Sequence, residues 1–443
     1  MLYYSAMEPS ALERQVMAKA TWRLVPFMCL CYLTAYLDRV NVNFAQLQMK
    51  TDLKFSGEAY ALGAGLFFFV GYFLFEVPSN ILLEKVGARI WIARIMILWG
   101  GISSAMMFVK SLWMYYLLRF LLGAGEAGFF PGMILYLTYW FPAQYRGRVI
   151  STLFIAQPVA NAVASSGSAA ILGMDGVLGL RGWQWIFIIE AIPAVLLGLF
   201  ILRVMTDRPA HAEWLADDER GWLQTRLETE NREIERDGHM TWTKALSDPR
   251  VVALSLIYLG SVTANYGIVF FMPQIVKGLG LSDMMTGFVS SGPYIIGTIG
   301  LLAWGWSSDR NKERRWHLIT ASTLGAAGLA FAAWSGATYW ALLGMSAATA
   351  GIYGSRAAFW PMPSIFLTGT AAAGAIAMIN AVGNLGGYIG PFVVGWIKDS
   401  TKSFEAGLYF LAACSLMAAI ITFFAARAAG APAVARANPA AAE

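Results

Sequence analysis

Away from the ends of its long apolar stretches, this sequence carries seven charged side chains: Asp38, Arg39, Glu76, Arg119, Glu126, Glu190 and Arg356. A charge at the centre of a hydrocarbon layer costs about 2.5–3.5 kcal/mol on insertion scales, so each needs a partner or a task. Four acids stand against three bases, which leaves at least one acid without a full partner. Such an acid can take up and release a proton near neutral pH. Arginine offers a planar fork that grips both oxygens of a carboxylate. Asp38 and Arg39 are adjacent, so on a helix they point about 100° apart and need not pair. Arg119 and Glu126 return to nearly one face, two turns or roughly 10 Å apart, and can look into one cavity. The pattern reads as two arginines offered to an anion and two carboxylates offered to protons.

The elements that must hold these residues are apolar runs. Hydrophobic residues make up 58% of the chain and charged ones 13%, about half the usual share of a soluble domain. The runs are about 20 residues long, enough to cross a hydrocarbon core of roughly 30 Å as helix. They predict spans at 21–46, 59–81, 90–109, 112–138, 147–171 and 183–203, then 250–274, 284–306, 316–335, 339–361, 370–397 and 405–426. The expected fold is an all-α integral membrane protein of twelve transmembrane helices in two pseudo-symmetric six-helix bundles. Its domains are 1–203, a hydrophilic linker at 204–249 with a short amphipathic helix around Trp214 to Leu227, and 250–443 with an Ala/Pro-rich tail. Lys85, Arg89 and Arg94 after the second span, and Arg310, Lys312, Arg314 and Arg315 after the eighth, place those loops and both termini in the cytoplasm. The net charge of +5 is thus a matter of topology and implies no nucleic-acid partner. Most of the 17 tryptophans are expected at the membrane interfaces.

Each half carries an acid followed by a base after its second span, Glu84-Lys85 and Asp309-Arg310, with Arg89 close behind the first pair. A six-helix unit repeated in this way predicts a substrate site between two bundles.

These paired loops resemble the signature loop of the major facilitator superfamily. Tyr36-Leu37-Asp38-Arg39-Val40-Asn41-Val42, Phe75-Glu76-Val77-Pro78-Ser79-Asn80, Arg119 through Gly128, Gly182-Trp183-Gln184-Trp185 and Asn380 through Pro391 resemble its anion:cation symporter family. Within that family the likeness is greatest to bacterial carriers of tartrate, 4-hydroxyphenylacetate and related acids. The resemblance implies proton coupling at Asp38 and Glu126. It also implies substrate contacts at Tyr36, Arg39, Tyr72, Arg119, Gln157, Asn380 and Asn384, and a conformational latch of Glu84, Lys85, Arg89, Asp309 and Arg310. Glu84, Lys85 and Asn80 depart from the superfamily pattern, where aspartate, arginine and glycine stand.

The function expected is import of a small organic anion with protons, by a monomer in the inner (plasma) membrane with no cofactor and no metal. The alternatives are a uniporter or anion exchanger of the same fold and, further off, a transporter-like nutrient sensor. No G-x-x-x-x-G-K-[ST] loop is present, so nothing points to ATP-driven transport. No catalytic constellation appears either. Glu76 and Glu190 read as structural. Arg356 reads as a residue that snorkels or braces the inner gate. Cys29, Cys31 and Cys414 read as small apolar side chains.

Overall fold

The computed structural model describes residues 10–236, 248–311, 313–363 and 378–429, and of a few residues, Glu84 and Arg148 among them, the backbone alone. Lys312, the start of the eleventh run (370–377) and the Ala/Pro-rich tail (430–443) lie outside the described residues.

Among the described residues, each of the twelve apolar runs falls on helix. The first half consists of α1 (Ala11–Leu53), α2 (Gly57–Leu62), a π-helical turn (Gly63–Phe67), α3 (Phe68–Val86), α4 (Ala88–Ala105), α5 (Leu112–Glu126), α6 (Phe129–Thr138), α7 (Ala143–Leu172) and α8 (Gly182–Val204). The linker forms α9 (Asp217–Arg236). The second half consists of α10 (Pro249–Lys277), α11 (Asp283–Arg310), α12 (Arg315–Ser335), α13 (Tyr339–Phe359), α14 (Gly386–Thr401) and α15 (Glu405–Ala429).

By length and composition, nine helical spans among the described residues are apolar enough to cross a membrane; α7, α13 and α14 are not among them. For α14 the reason is length, since 16 of its residues are described as one helix. For α7 it is polarity, because Gln157, Asn161, Ser165 and Ser168 are all buried against protein. A helix that faces other helices need not match lipid in composition. Lipid is met instead by exposed apolar residues such as Phe73, Leu196, Phe200, Ile299 and Phe424. Trp113, Trp306, Trp334 and Trp340 are exposed near helix ends, and Trp22 near the start of the first apolar run, where amphipathic rings settle.

Two details depart from the run-by-run reading. The fourth run is two helices, α5 and α6, because Gly128 takes a left-handed φ of 85° that breaks the ladder just after Glu126. The Ala127 carbonyl freed there accepts from Ser79 Oγ at 2.7 Å. The linker helix is longer than Trp214 to Leu227, and starts where three acids, Asp217, Asp218 and Glu219, suit a helix N-terminus.

The halves meet along α7 with α11 and along α2 and the π turn with α14, with further contact between α1 and α10. In span number these pairs are the fifth with the eighth and the second with the eleventh. A two-fold operation that maps spans one to six onto seven to twelve exchanges the two pairs, as internal repeats require.

Candidate substrate cavity

Between the halves lies a narrow cavity of about 30 Å³. From α1 it takes Tyr36, Arg39, Val40 and Asn43, positions that recur every three or four residues and so share a face, with Val42 at its margin. Asp38 falls on another face. Its carboxylate accepts from Ser103 Oγ on α4 and from Asn41 Nδ2 at 2.9 Å, behind the cavity wall.

Arg119 reaches the cavity because α3 and α5 touch backbone to backbone. A Cβ at Gly123 would sit 2.0 Å from the Phe68 carbonyl oxygen, and one at Gly71 would sit 2.2 Å from that of Phe120. At that spacing Arg119 Nη2 donates to Ala64 O at 2.8 Å and Nε to Gly63 O at 3.4 Å. Both carbonyls belong to the π turn, a wide turn frequent at functional sites. The guanidinium is 2% exposed and lies 4.7 Å from the Phe68 ring. Its Nη1 is buried without a hydrogen-bond partner, and no carboxylate pairs with it among the described residues.

Arg39 is held differently. Its Nε and Nη2 both approach Glu126 Oε1, at 2.7 and 2.6 Å, and its Nη1 donates to Tyr266 Oη at 3.2 Å in the other half. The rings of Tyr72, Tyr36 and Phe68 surround it at 5.2–5.7 Å. Phe68 thus stands between the two guanidiniums. Glu126 is 1% exposed and reaches the cavity only through Arg39.

The structure thus gathers Tyr36, Arg39, Arg119 and Gln157 at one cavity, with Glu126 and Tyr72 one contact behind Arg39. Asn380 and Asn384, both partly buried on the stretch before α14, are not among the lining residues; α14 contributes Gly387 and Pro391. Sequence reasoning passed over Asn43, Asn161, Asn265, Tyr266 and Phe69 as lining residues. Lone amides inside apolar runs were the available signal for the first three. Arg356 does not snorkel. It is 5% exposed and turns to Gln157 in the other half.

The loop residues are spread along the end that carries the termini. The Arg89 backbone N–H donates to Asp207 Oδ1 at 2.8 Å, and Asp309 pairs with Arg314 at 2.5 Å. Lys85 is exposed, and Arg310 lies 5.2 Å from the Trp306 ring. At the opposite end the halves are tied twice. Lys398 donates to Gln274, and Gln274 to Gln46, whose own amide reaches Phe270 O at 3.0 Å. Asp399 Oδ2 accepts from the Glu58 N–H at 2.7 Å and caps α2.

The family model described as "Major Facilitator Superfamily" matches residues 28–371. A protein of Agrobacterium vitis named "Putative tartrate transporter" is 48% identical over 416 residues, which cover 94% of this chain and 92% of that one. A "Quinolone resistance transporter" of Acinetobacter baumannii is 43% identical over 93% of this chain and 95% of its own length. Among solved structures, a bacterial homolog of the human lysosomal transporter Spinster superposes with a TM-score of 0.73 at 17% identity, over 92% of this chain and 97% of that one. That likeness speaks to the fold alone. With twelve helical runs, a cavity between pseudo-symmetric halves and a family match across most of its length, the chain is a multi-pass membrane protein of the Major Facilitator Superfamily.

Proposed function

We propose that the protein imports a small organic anion, a hydroxy- or aromatic carboxylate such as tartrate or 4-hydroxyphenylacetate, together with protons and by alternating access. Both termini face the cytoplasm of the cell that bears it in its inner membrane. The observation that carries the reading is Arg119: a buried cation at the cavity wall, balanced by two backbone carbonyls and, among the described residues, by no acid. A carboxylate supplies the missing charge, and Nη1 supplies an idle donor for it. The name of the Agrobacterium relative agrees with a hydroxy diacid.

Coupling follows from the second arginine. An anion that draws Arg39 toward itself loosens the Arg39–Glu126 pair, and a buried carboxylate that loses its counter-ion favours its protonated form. Proton and anion then load together. When the halves reopen toward the cytoplasm, the anion leaves, Arg39 returns to Glu126 and the proton is released. Asp38, with Ser103 and Asn41, is the second proton-carrying group. The residues Glu84, Lys85, Arg89, Asp309 and Arg310 form the latch that opens and closes on the cytoplasmic side.

The test is uptake of radiolabelled tartrate and 4-hydroxyphenylacetate into proteoliposomes. Accumulation is expected when the outside is made acidic, and its collapse when a protonophore is added. Uptake that ignores the pH gradient favours the uniporter or exchanger instead. A fluoroquinolone in the same vesicles tests whether the quinolone in the second relative's name is carried as well.

A further inference from the structure

The second half of the chain also buries a charge, and it too lacks an acid. Arg356, on α13, is the one charged residue of that half that is fully buried among the described residues. No carboxylate pairs with it there. The titratable groups around it are the phenols of Tyr32, Tyr36, Tyr258 and Tyr353, and its guanidinium lies 5.3 Å from the Tyr353 ring. Nη1 donates to Gln157 Oε1 across the interface between halves, and Nε is buried without a partner. Beside it Trp360 has a buried indole N–H, also without a partner, and stacks on Phe154 of the first half at 5.8 Å.

Gln157 lines the same cavity as Arg39 and Arg119. One neutral amide therefore separates Arg356 from that cavity. An amide oxygen gives a buried guanidinium a hydrogen bond but no opposite charge, and an ionised acceptor binds roughly twice as strongly as a neutral one. An uncompensated cation thus stands on each side of the cavity: Arg119 in its wall from the first half, with Nη1 idle, and Arg356 behind Gln157 from the second, with Nε idle.

Building on the anion-import reading, we infer that Arg356 is a specificity residue that takes the second carboxylate of a short dicarboxylate whose first sits at Arg119 and Arg39. The incoming carboxylate replaces Gln157 on Arg356. A diacid then bridges the two halves through charged contacts at both ends, whereas a monoacid leaves Arg356 on Gln157. Selectivity for diacids follows from the position of one arginine in the second bundle.

The test compares binding of tartrate with its monoamide, and of succinate with succinamate, to the purified full-length protein by calorimetry at neutral pH. Each monoamide keeps the length and hydrogen bonding of the diacid and removes one charge. Wild type should prefer the diacid by about tenfold or more, the usual worth of one charge-assisted contact. In Arg356→Gln that preference should disappear, with the diacid losing far more affinity than the monoamide. Gln157→Glu supplies Arg356 with an internal carboxylate and should also erase the preference, which covers the case that Arg356→Gln does not fold. Retention of the preference in either variant, or an equal loss for both ligands, overturns the role of Arg356 and leaves anion import standing. Failure of wild type to bind any of the four overturns the anion-import reading and this inference with it.

Discussion

Arg39 places two of its nitrogens on a single oxygen of Glu126, and its third nitrogen on Tyr266 of the opposite half. The pair that would carry a proton is thereby tied to the contact between bundles. Glu126→Gln keeps the shape and hydrogen bonding of the neutral acid but cannot release a proton. This variant should lose uphill, pH-driven uptake while still exchanging substrate in counterflow, because Arg39 is left free for the anion. Asp38→Asn should lose uphill uptake as well, since Ser103 and Asn41 can still satisfy an amide. Accumulation at the wild-type level by both variants would remove these two residues from the coupling.

Arg119 makes a more specific demand. It serves Gly63 O and Ala64 O and still has Nη1 to offer, three tasks for one planar fork. A lysine ammonium lacks that geometry. Arg119→Lys and Arg119→Ala should both insert normally and both fail in uptake, with affinity reduced by roughly 10–150-fold, the equivalent of about 1.5–3 kcal/mol. Arg39→Ala should fail in the same way. Normal transport by Arg119→Lys would show that a point charge suffices.

The cap of Asp399 on α2 exists only when the two halves are closed at that end. Removing a capping side chain costs about 0.5–2 kcal/mol, so Asp399→Ala should shift the balance toward the open state by roughly 2–30-fold. The readout is labelling of a cysteine at Asn43 from the side opposite the termini, which should quicken. Gly57→Val should act in the same direction, because a Cβ at Gly57 would lie 2.6 Å from Asp399 Oδ1. Unchanged labelling in both would dismiss the cap as a gate element.

The linker makes a pH prediction. Glu219 accepts from Lys19 Nζ at 2.6 and 2.9 Å, from Gln15 at 3.0 Å and from the Ala216 N–H at 2.9 Å, and it is 1% exposed. The hydrogen bond from Lys19, with the other bonds and that ammonium charge, holds its carboxyl below the usual range against the opposing effect of burial. A depressed carboxylate stabilises at any pH above its unfolded value of about 4.3, and that stability is lost as pH falls through the lower folded value. Limited proteolysis of α9 should therefore proceed at one rate from pH 8 to about 5, and speed up only below about 4.3. In Glu219→Gln it should be faster throughout. Loosening between pH 7 and 5 in the wild type would contradict this.

Composition made the spans legible, since helix in lipid must satisfy its own backbone and be apolar where lipid touches it. It was least clear for α7 and α13, which face protein and read as ordinary polar or small-residue helix. The charges Asp38, Arg39, Arg119 and Glu126 were legible for the same reason, but their partners were not. Counting acids against bases suggests ion pairing, yet Arg119 is balanced by main-chain oxygens, and Asp38 by Ser103 and Asn41. Neither arrangement leaves a charge signal in the sequence. Tyr266 escaped notice because a tyrosine in an apolar run reads as packing until the other bundle brings Arg39 to it.

The π turn at Gly63–Phe67 holds one residue more than an α-helical turn of the same rise. Deleting a single residue there would restore ordinary helix and rotate α2 by about 100° against α3. The Gly63 and Ala64 carbonyls would swing away from Arg119, while every apolar run in the chain kept its length and character. An in-frame deletion of three nucleotides could therefore abolish the proposed anion site of a protein that still inserts, spans and folds. Within this superfamily, hydropathy alone would not tell such a descendant from its parent.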